Sequence, residues 1–227
     1  NTMAPTGSYP QLWHRQLALH ESRHVAQMRS LERGFIRALS YLTGESATGI
    51  AAGLYPPKWF LEGDAVVAET ENSKSGRGRQ ASFLAYYRAA LLQGESRSWN
   101  RWRFGSYKDY TPDHYALGYL LNTTARMKRN NPNLGWDIIR TMRRNFYNPL
   151  VRDYSFRKVT GYTPRELMKE SEKLYTEMWR EELQERGPAD KPERILSAAD
   201  GNGWYSAYIS LTASNDSTLY LQQESYR

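Results

Sequence analysis

The segment His20-Glu21-Ser22-Arg23-His24 constrains this chain more than any other. It lies in an amphipathic pattern that predicts a helix from about Pro10 to Leu31. Because an α-helix turns once in about 3.6 residues, His20 and His24 lie one turn apart on one face and can reach a single metal ion. Glu21 is next to the first of them, where it can accept a proton from a water molecule on the metal. The spacing therefore predicts a catalytic zinc site with Glu21 as general base.

The residues around the two histidines predict that this face of the helix is buried. Apolar residues and the histidines share one helical stripe, namely Leu17, His20, His24, Met28 and Leu31, with Leu12 and Val25 close by. A buried histidine pair needs a polar partner, and a metal ion would be one. The alternative is a pair of ordinary helix histidines, packed against a core or exposed.

A catalytic zinc ion needs a third protein ligand and an open position for water. The chain has no cysteine, and its other histidines are His14 and His114, so a carboxylate is the expected third ligand. The stretch from Pro57 to Glu69 contains Trp59-Phe60-Leu61-Glu62-Gly63-Asp64-Ala65. This W-x-x-E-G-x-A pattern, following H-E-x-x-H, resembles the gluzincin zinc metallopeptidases, and their aminopeptidase N-like branch in particular.

The resemblance implies that one Zn²⁺ ion is bound by His20, His24 and Glu62. It also implies that Glu69, two helical turns after Glu62, accepts a hydrogen bond from a metal-bound histidine. The alternatives are that Glu62 is a carboxylate favoured by the start of a helix and that Glu69 is a solvated helix residue. The segment between His24 and Glu62 is longer than is usual in this branch, which indicates an extra helix and loop over Gly34–Tyr55.

A second resemblance concerns the segment from Thr111 to Tyr119, which is similar to the Y-x-x-G helix of the same branch. It implies that the Tyr115 hydroxyl stabilises the oxyanion formed during peptide hydrolysis. His114 is the alternative donor, because some gluzincins use a histidine, and Tyr119 is a third choice. The chain has 17 tyrosines, so a simply packed aromatic residue is the competing interpretation.

The composition allows a folded core but indicates no membrane span. The chain has 227 residues, of which 40% are hydrophobic, and no apolar run approaches the ~20 residues of a spanning helix. The net charge of +7 and basic clusters with interleaved aromatic residues, such as 97–103, are compatible with a nucleic-acid binder. No nucleic-acid motif accompanies them, so we expect no nucleic-acid partner. A basic rim near the cleft would favour acidic peptides.

The pattern along the chain predicts a mainly α fold, a gluzincin-like helical peptidase domain with a short C-terminal β-hairpin segment. Helices are expected over about 34–43, 57–71, 81–92, 134–147 and from Thr111-Pro112 to Lys128. A capping box at Thr163–Glu166 opens another helix, which ends near Arg186. A Gly/Ala-rich connector is expected over 48–54, a loop over 72–79 and irregular structure over 94–110.

We expect two domains, a helical zinc-peptidase domain over 1–187 and a linker plus hairpin over 188–227. Gly187–Pro192 resembles a linker, and residues 204–213 and 217–224 are expected to form strands around a turn at 214–216. This part resembles the start of a β-propeller, as in bacterial gluzincin-like proteins that carry a propeller after the peptidase domain. That resemblance implies further domains in the same polypeptide and a periplasmic or extracytoplasmic location.

The function implied is a zinc-dependent metallopeptidase that hydrolyses bonds in a peptide or protein substrate. The alternative is a catalytically inactive, peptidase-like scaffold that binds peptides or partner domains. It stays open because no segment similar to the substrate-lining strand of the aminopeptidases precedes the first helix. The choice between exopeptidase and endopeptidase stays open for the same reason.

Overall fold

The structure is a computed structural model that describes residues 12–95 and 97–187 and the strands within 205–226. The chain divides into two units, Asn1–Glu185 and Arg186–Arg227. The described part of the first unit is helical, as the sequence predicts. Its helices are α1 (Trp13–Leu31), α2 (Phe35–Thr43), α3 (Ser46–Leu54), α4 (Lys58–Glu71), α5 (Ala85–Leu92), α6 (Trp99–Phe104), α7 (His114–Arg129), α8 (Leu134–Arg144), α9 (Val151–Thr160) and α10 (Pro164–Arg186).

The second unit contains the hairpin that the sequence predicts. Strand β1 (Tyr205–Asn215) pairs antiparallel with β2 (Thr218–Tyr226), and the register shifts between Tyr208 and Ser210 and again between Ala213 and Asn215. Such shifts mark bulges, which twist a strand pair locally. The predicted linker after Gly187 and part of the predicted turn lie outside the described residues.

The hydrophobic core of the helical unit is built around α4, α7 and α8. Its fully buried side chains include Phe60 from α4, Leu117 and Leu120 from α7, and Ile138 and Met142 from α8. Trp59 packs edge-on against Phe60 and Trp99 and contacts Phe156. This core fixes α4, so the polar residues of α4 that point away from it have a defined position.

Helices α4 and α7 cross at two glycines. Gly63 and Gly118 face each other, and a Cβ atom at either position would collide with the backbone of the other helix. At Gly118 the colliding atom would be the carbonyl oxygen of Trp59. These are the glycines of the E-G and Y-x-x-G patterns, so their close contact brings the helix turns that carry Glu62 and Tyr115 next to each other.

Three expectations about local structure are wrong. The Gly/Ala-rich connector is helix α3, because Ala47 and Ala51 form a small core with Ile36, and residues of this size allow α2 and α3 to pack closely. The irregular stretch 94–110 contains α6, whose N-cap Ser98 accepts a hydrogen bond from the Arg101 amide.

The third wrong expectation is the start of α7. The helix begins at His114 and not at Thr111-Pro112, and its N-cap is Asp113, whose carboxylate accepts hydrogen bonds from the amides of Tyr115 and Ala116. The capping box of α10 is confirmed. The Thr163 hydroxyl accepts from the Glu166 amide, and the Glu166 carboxylate accepts from the Thr163 amide at 2.8 Å.

None of the helices in the described residues combines the length and the apolar character that crossing a membrane requires.

The glycine crossing gives a test of the fold. We expect Gly118→Ala to destabilise the protein by about 1–3 kcal/mol, because the added methyl group must push α4 and α7 apart. Gly49→Ala is the matched control: Gly49 lies in α3 with open space around it, and alanine there should stabilise the helix by about 0.5–1 kcal/mol. Chemical denaturation of both variants measures the two changes. Equal stability of Gly118→Ala and the wild type would contradict the close crossing.

Candidate metal centre

The inner face of α1 is polar around the histidines, whereas Leu31 at its end is fully buried, as the predicted apolar stripe requires. Its buried residues are His20, Gln27, Ser30 and Leu31. The predicted apolar stripe is wrong at Leu12, Leu17 and Val25, which are 68%, 37% and 54% exposed. The reason lies in the opposite helix, because α4 presents Glu62, Asp64 and Glu69 to α1, and these carboxylates need polar partners.

All three predicted ligand residues converge on one point. His20 Nε2 and His24 Nε2 are 3.1 Å apart, and each lies 3.2 Å from Glu62 Oε2. Among the described residues, His20, His24 and Glu62 form the group of metal-binding side chains that could hold an ion. Their side chains are 7%, 22% and 17% exposed, so the ligand atoms are largely shielded but still reachable from solvent.

The spacing of these three atoms suits a tetrahedral ion. Zinc bonds of about 2.0–2.1 Å in tetrahedral geometry separate neighbouring ligand atoms by about 3.3 Å. The observed separations of 3.1–3.2 Å are close to that value. Two imidazole nitrogens and one carboxylate oxygen are also a donor set that zinc accepts in catalytic sites. The residues present therefore fit a zinc ion.

Gln27 sets the tautomer of His24. The Gln27 amide nitrogen donates to the Leu61 carbonyl at 3.0 Å and to Asp64 Oδ2 at 2.9 Å, which leaves Gln27 Oε1 facing His24 Nδ1 at 2.8 Å. An amide oxygen only accepts, so His24 Nδ1 carries the hydrogen. In the neutral ring, the Nε2 lone pair is then free to bind a metal.

Glu69 contacts the Nδ1 atom of His20, as Gln27 contacts the Nδ1 atom of His24. Its Oε2 lies 3.2 Å from His20 Nδ1, while Arg77 Nη2 lies 2.9 Å from the same nitrogen and 3.0 Å from Glu69 Oε2. His20 Nδ1 either donates to Glu69 or accepts from Arg77. A metal on Nε2 requires the first arrangement, in which both His20 and Arg77 donate to the carboxylate.

The carboxylates create a field that favours positive charge between the histidines. Burial lowers the pKa of His20, but hydrogen bonds to Glu62 and Glu69 outweigh it and raise the pKa to about 9. The hydrogen bond to Glu62 likewise raises the pKa of His24, and both histidines hold the pKa of Glu62 well below its usual range. A proton and a metal ion compete for the same Nε2 atoms, so metal binding should release protons.

Asp64 connects α1 to α4 and α7. It is fully buried, and its oxygens accept hydrogen bonds from Arg23 Nε at 2.7 Å and from Arg126 Nη2 at 2.8 Å. Although burial opposes ionisation, the contacts with Arg23 and Arg126 keep the pKa of Asp64 below its usual value. This ion pair network holds α1 in the position in which His20 and His24 meet Glu62.

Tyr115 lies beside the ligand group. Its ring centroid lies 6.0 Å from that of His20, and burial together with the Glu62 charge raises the pKa of its hydroxyl. His114 lies beside it, with ring centroids 4.5 Å apart, and its Nε2 is buried without a hydrogen-bond partner. Tyr119 packs instead against Phe83 and Gly78. Glu21 is exposed on α1.

Sequence patterns do not reveal the roles of Gln27, Asp64 and Arg77. Gln27 and Asp64 stand next to the motifs, but their contacts join helices that are far apart in the chain. Arg77 lies in the stretch 72–79, for which the sequence predicts only a loop, and its side chain donates to the buried Glu69. The one sequence signal for these roles is an acidic residue at a buried helix position that has no basic partner in its own helix.

Comparison with known proteins gives no match. No protein-family model matches the chain, and no curated protein or solved structure is significantly similar to it.

The ligand group predicts stoichiometric zinc binding. We expect about one zinc ion per chain after reconstitution, and much weaker binding in Glu62→Gln, because the amide removes the anionic ligand. Glu71→Gln is the matched control, since Glu71 is an exposed acid at the end of the same helix and should leave zinc binding unchanged. Metal analysis and chelator competition give both quantities. A folded, zinc-supplied wild type without bound zinc would refute the site.

Proposed function

We propose that the chain is a zinc-dependent metallopeptidase domain of the gluzincin type. The observation that carries this proposal is the convergence of His20, His24 and Glu62, in which Gln27 and Glu69 orient the two rings so that both Nε2 atoms face the carboxylate. When both rings are neutral with their hydrogens on Nδ1, the three facing atoms are all acceptors, and a cation between them would stabilise this arrangement. The proposal further rests on the H-E-x-x-H and W-x-x-E-G-x-A patterns, which supply the same three residues.

A zinc ion held by His20, His24 and Glu62 would supply Lewis-acid activation of a water molecule and of the substrate carbonyl. The protein side of the reaction is acid–base chemistry. Glu21, the residue after the first histidine, accepts a proton from the attacking water and passes it to the leaving amine. Its exposed position on α1 leaves it accessible to water and substrate.

Tyr115 serves as the donor for the negative charge that develops on the carbonyl oxygen. Its raised pKa keeps the hydroxyl protonated at neutral pH, so the group can donate a hydrogen bond. The contact between Gly63 and Gly118 holds its helix turn against the turn that carries Glu62. His114 is the alternative donor on the same turn of α7.

Cleavage of a peptide library by the zinc-loaded protein tests the proposal. We expect Glu21→Gln to abolish cleavage while it retains zinc, because the amide cannot accept the proton. If wild type and Glu21→Gln both bind peptides and neither cleaves them, the inactive scaffold is the correct function. If Glu21→Gln cleaves as well as the wild type, Glu21 is not the base.

The Tyr115 assignment has its own test. Tyr115→Phe should lower kcat on a cleavable peptide by roughly 10²–10³, the loss expected for one oxyanion donor, and leave zinc content unchanged. Tyr119→Phe, one turn further along α7 and packed on Phe83, is the matched control and should keep wild-type activity. Full activity of Tyr115→Phe together with inactive His114→Ala would transfer the role to His114.

A further inference from the structure

Arg77 contacts two residues next to the proposed metal ligands, Glu69 and Tyr115. Its Nε donates to Glu69 Oε1 at 2.8 Å, its Nη2 donates to Glu69 Oε2 at 3.0 Å, and its backbone amide donates to Oε1 at 3.1 Å. The carboxylate that receives these bonds is only 1% exposed. A guanidinium fork that engages both oxygens fixes the plane of the carboxylate as well as its position.

The same guanidinium lies on the ring of Tyr115. Its central carbon is 4.7 Å from the ring centroid, which is the geometry of a cation–π contact. Arg77 therefore joins the carboxylate behind His20 to the aromatic ring beside it. A lysine could carry the same charge but could neither bridge two oxygens nor stack its planar group on the ring.

The backbone of this loop is anchored independently of the Arg77 side chain. The Gly78 amide donates to the Thr70 hydroxyl at 3.1 Å, and Arg79 Nε donates to the carbonyls of Thr70 and Ser73. A Cβ atom at Gly76 would collide with the Thr70 backbone. These contacts hold the loop on the end of α4, so removal of the Arg77 side chain should leave the loop in place.

We propose that Arg77 is a positioning residue of the metal centre, which fixes the Glu69 carboxylate behind His20 and the Tyr115 ring at the same time. It thereby sets the affinity for the metal. It also sets the placement of the Tyr115 hydroxyl, and this second part of the inference rests on the proposed peptidase function. The Arg77 guanidinium is a cation and is no ligand. Its Nη2 also lies 2.9 Å from His20 Nδ1, but a metal on His20 Nε2 requires a hydrogen on that Nδ1, so the action of Arg77 on the metal passes through Glu69.

Zinc affinity, measured by chelator competition without any peptide, tests this role. Arg77→Ala should bind zinc about 10–100-fold more weakly, the usual effect of losing a group that orients a metal-bound histidine. Arg77→Lys should recover only part of this loss. Arg79→Ala is the matched control, because it removes a neighbouring arginine that does not contact Glu69. The Gly78–Thr70 hydrogen bond and the close packing of Gly76 still hold the loop, so this variant should bind zinc like the wild type.

Two further readouts separate positioning from a general structural role. In a Glu69→Gln background, Arg77→Ala should cause little additional loss of affinity, because the carboxylate through which it acts is already gone. The visible spectrum of the cobalt-substituted protein should change in Arg77→Ala and not in Arg79→Ala. Equal effects of Arg77→Ala and Arg79→Ala, or wild-type affinity and spectrum in Arg77→Ala, would overturn the proposal.

If Arg77→Ala does not fold, Arg77→Lys decides. Weakened zinc binding with an altered cobalt spectrum supports the role, and wild-type behaviour refutes it. Zinc affinity and peptide cleavage together distinguish failure of the positioning role from failure of the proposed peptidase function. Loss of affinity in Arg77→Ala without any peptide cleavage by the wild type would keep the positioning role and remove the peptidase function. Cleavage by a wild type whose zinc affinity does not depend on Arg77 would do the reverse.

Discussion

The carboxylates that α4 buries against α1 determine how α1 packs on the helical unit. An ionised carboxylate out of water costs several kcal/mol unless cations or hydrogen-bond donors surround it. Asp64 accepts hydrogen bonds from Arg23, Arg126 and Gln27. Glu69 contacts Arg77 and His20. Glu62 faces both histidines. The polar inner face of α1 follows from this requirement, and a cation bound by Glu62 and the two histidines would complete the charge balance.

Each histidine is oriented by a different group, and both groups belong to this interface. Gln27 can receive the His24 ring hydrogen only because Asp64 and the Leu61 carbonyl take its amide hydrogens. Glu69 can receive the His20 ring hydrogen only while Arg77 donates to the carboxylate rather than to the ring. The candidate site is therefore a continuous network, in which the orientation of both histidine rings depends on residues outside the group of His20, His24 and Glu62.

Local geometry explains what the sequence predicts well. The i, i+4 spacing of His20 and His24 and the capping box at Thr163 are set within one helix turn, so the letters suffice. The inner face of α1 depends on what α4 presents, and hydrophobic periodicity counted Leu17 and Val25 as buried although both are exposed. The pattern predicts a connector in place of helix α3, because small residues indicate a helix only when the helix against which they pack is known. The glycines of the two motifs gain their reason only from the contact between Gly63 and Gly118.

X-ray absorption at the zinc edge of the zinc-loaded protein tests the central claim most directly, because it reports ligand type, number and distance. The account predicts four nitrogen or oxygen ligands at about 2.0–2.1 Å, with the multiple-scattering signal of two imidazoles. His24→Ala should remove one imidazole from that signal. A shell of six oxygen ligands, or a spectrum that His24→Ala leaves unchanged, would contradict the account.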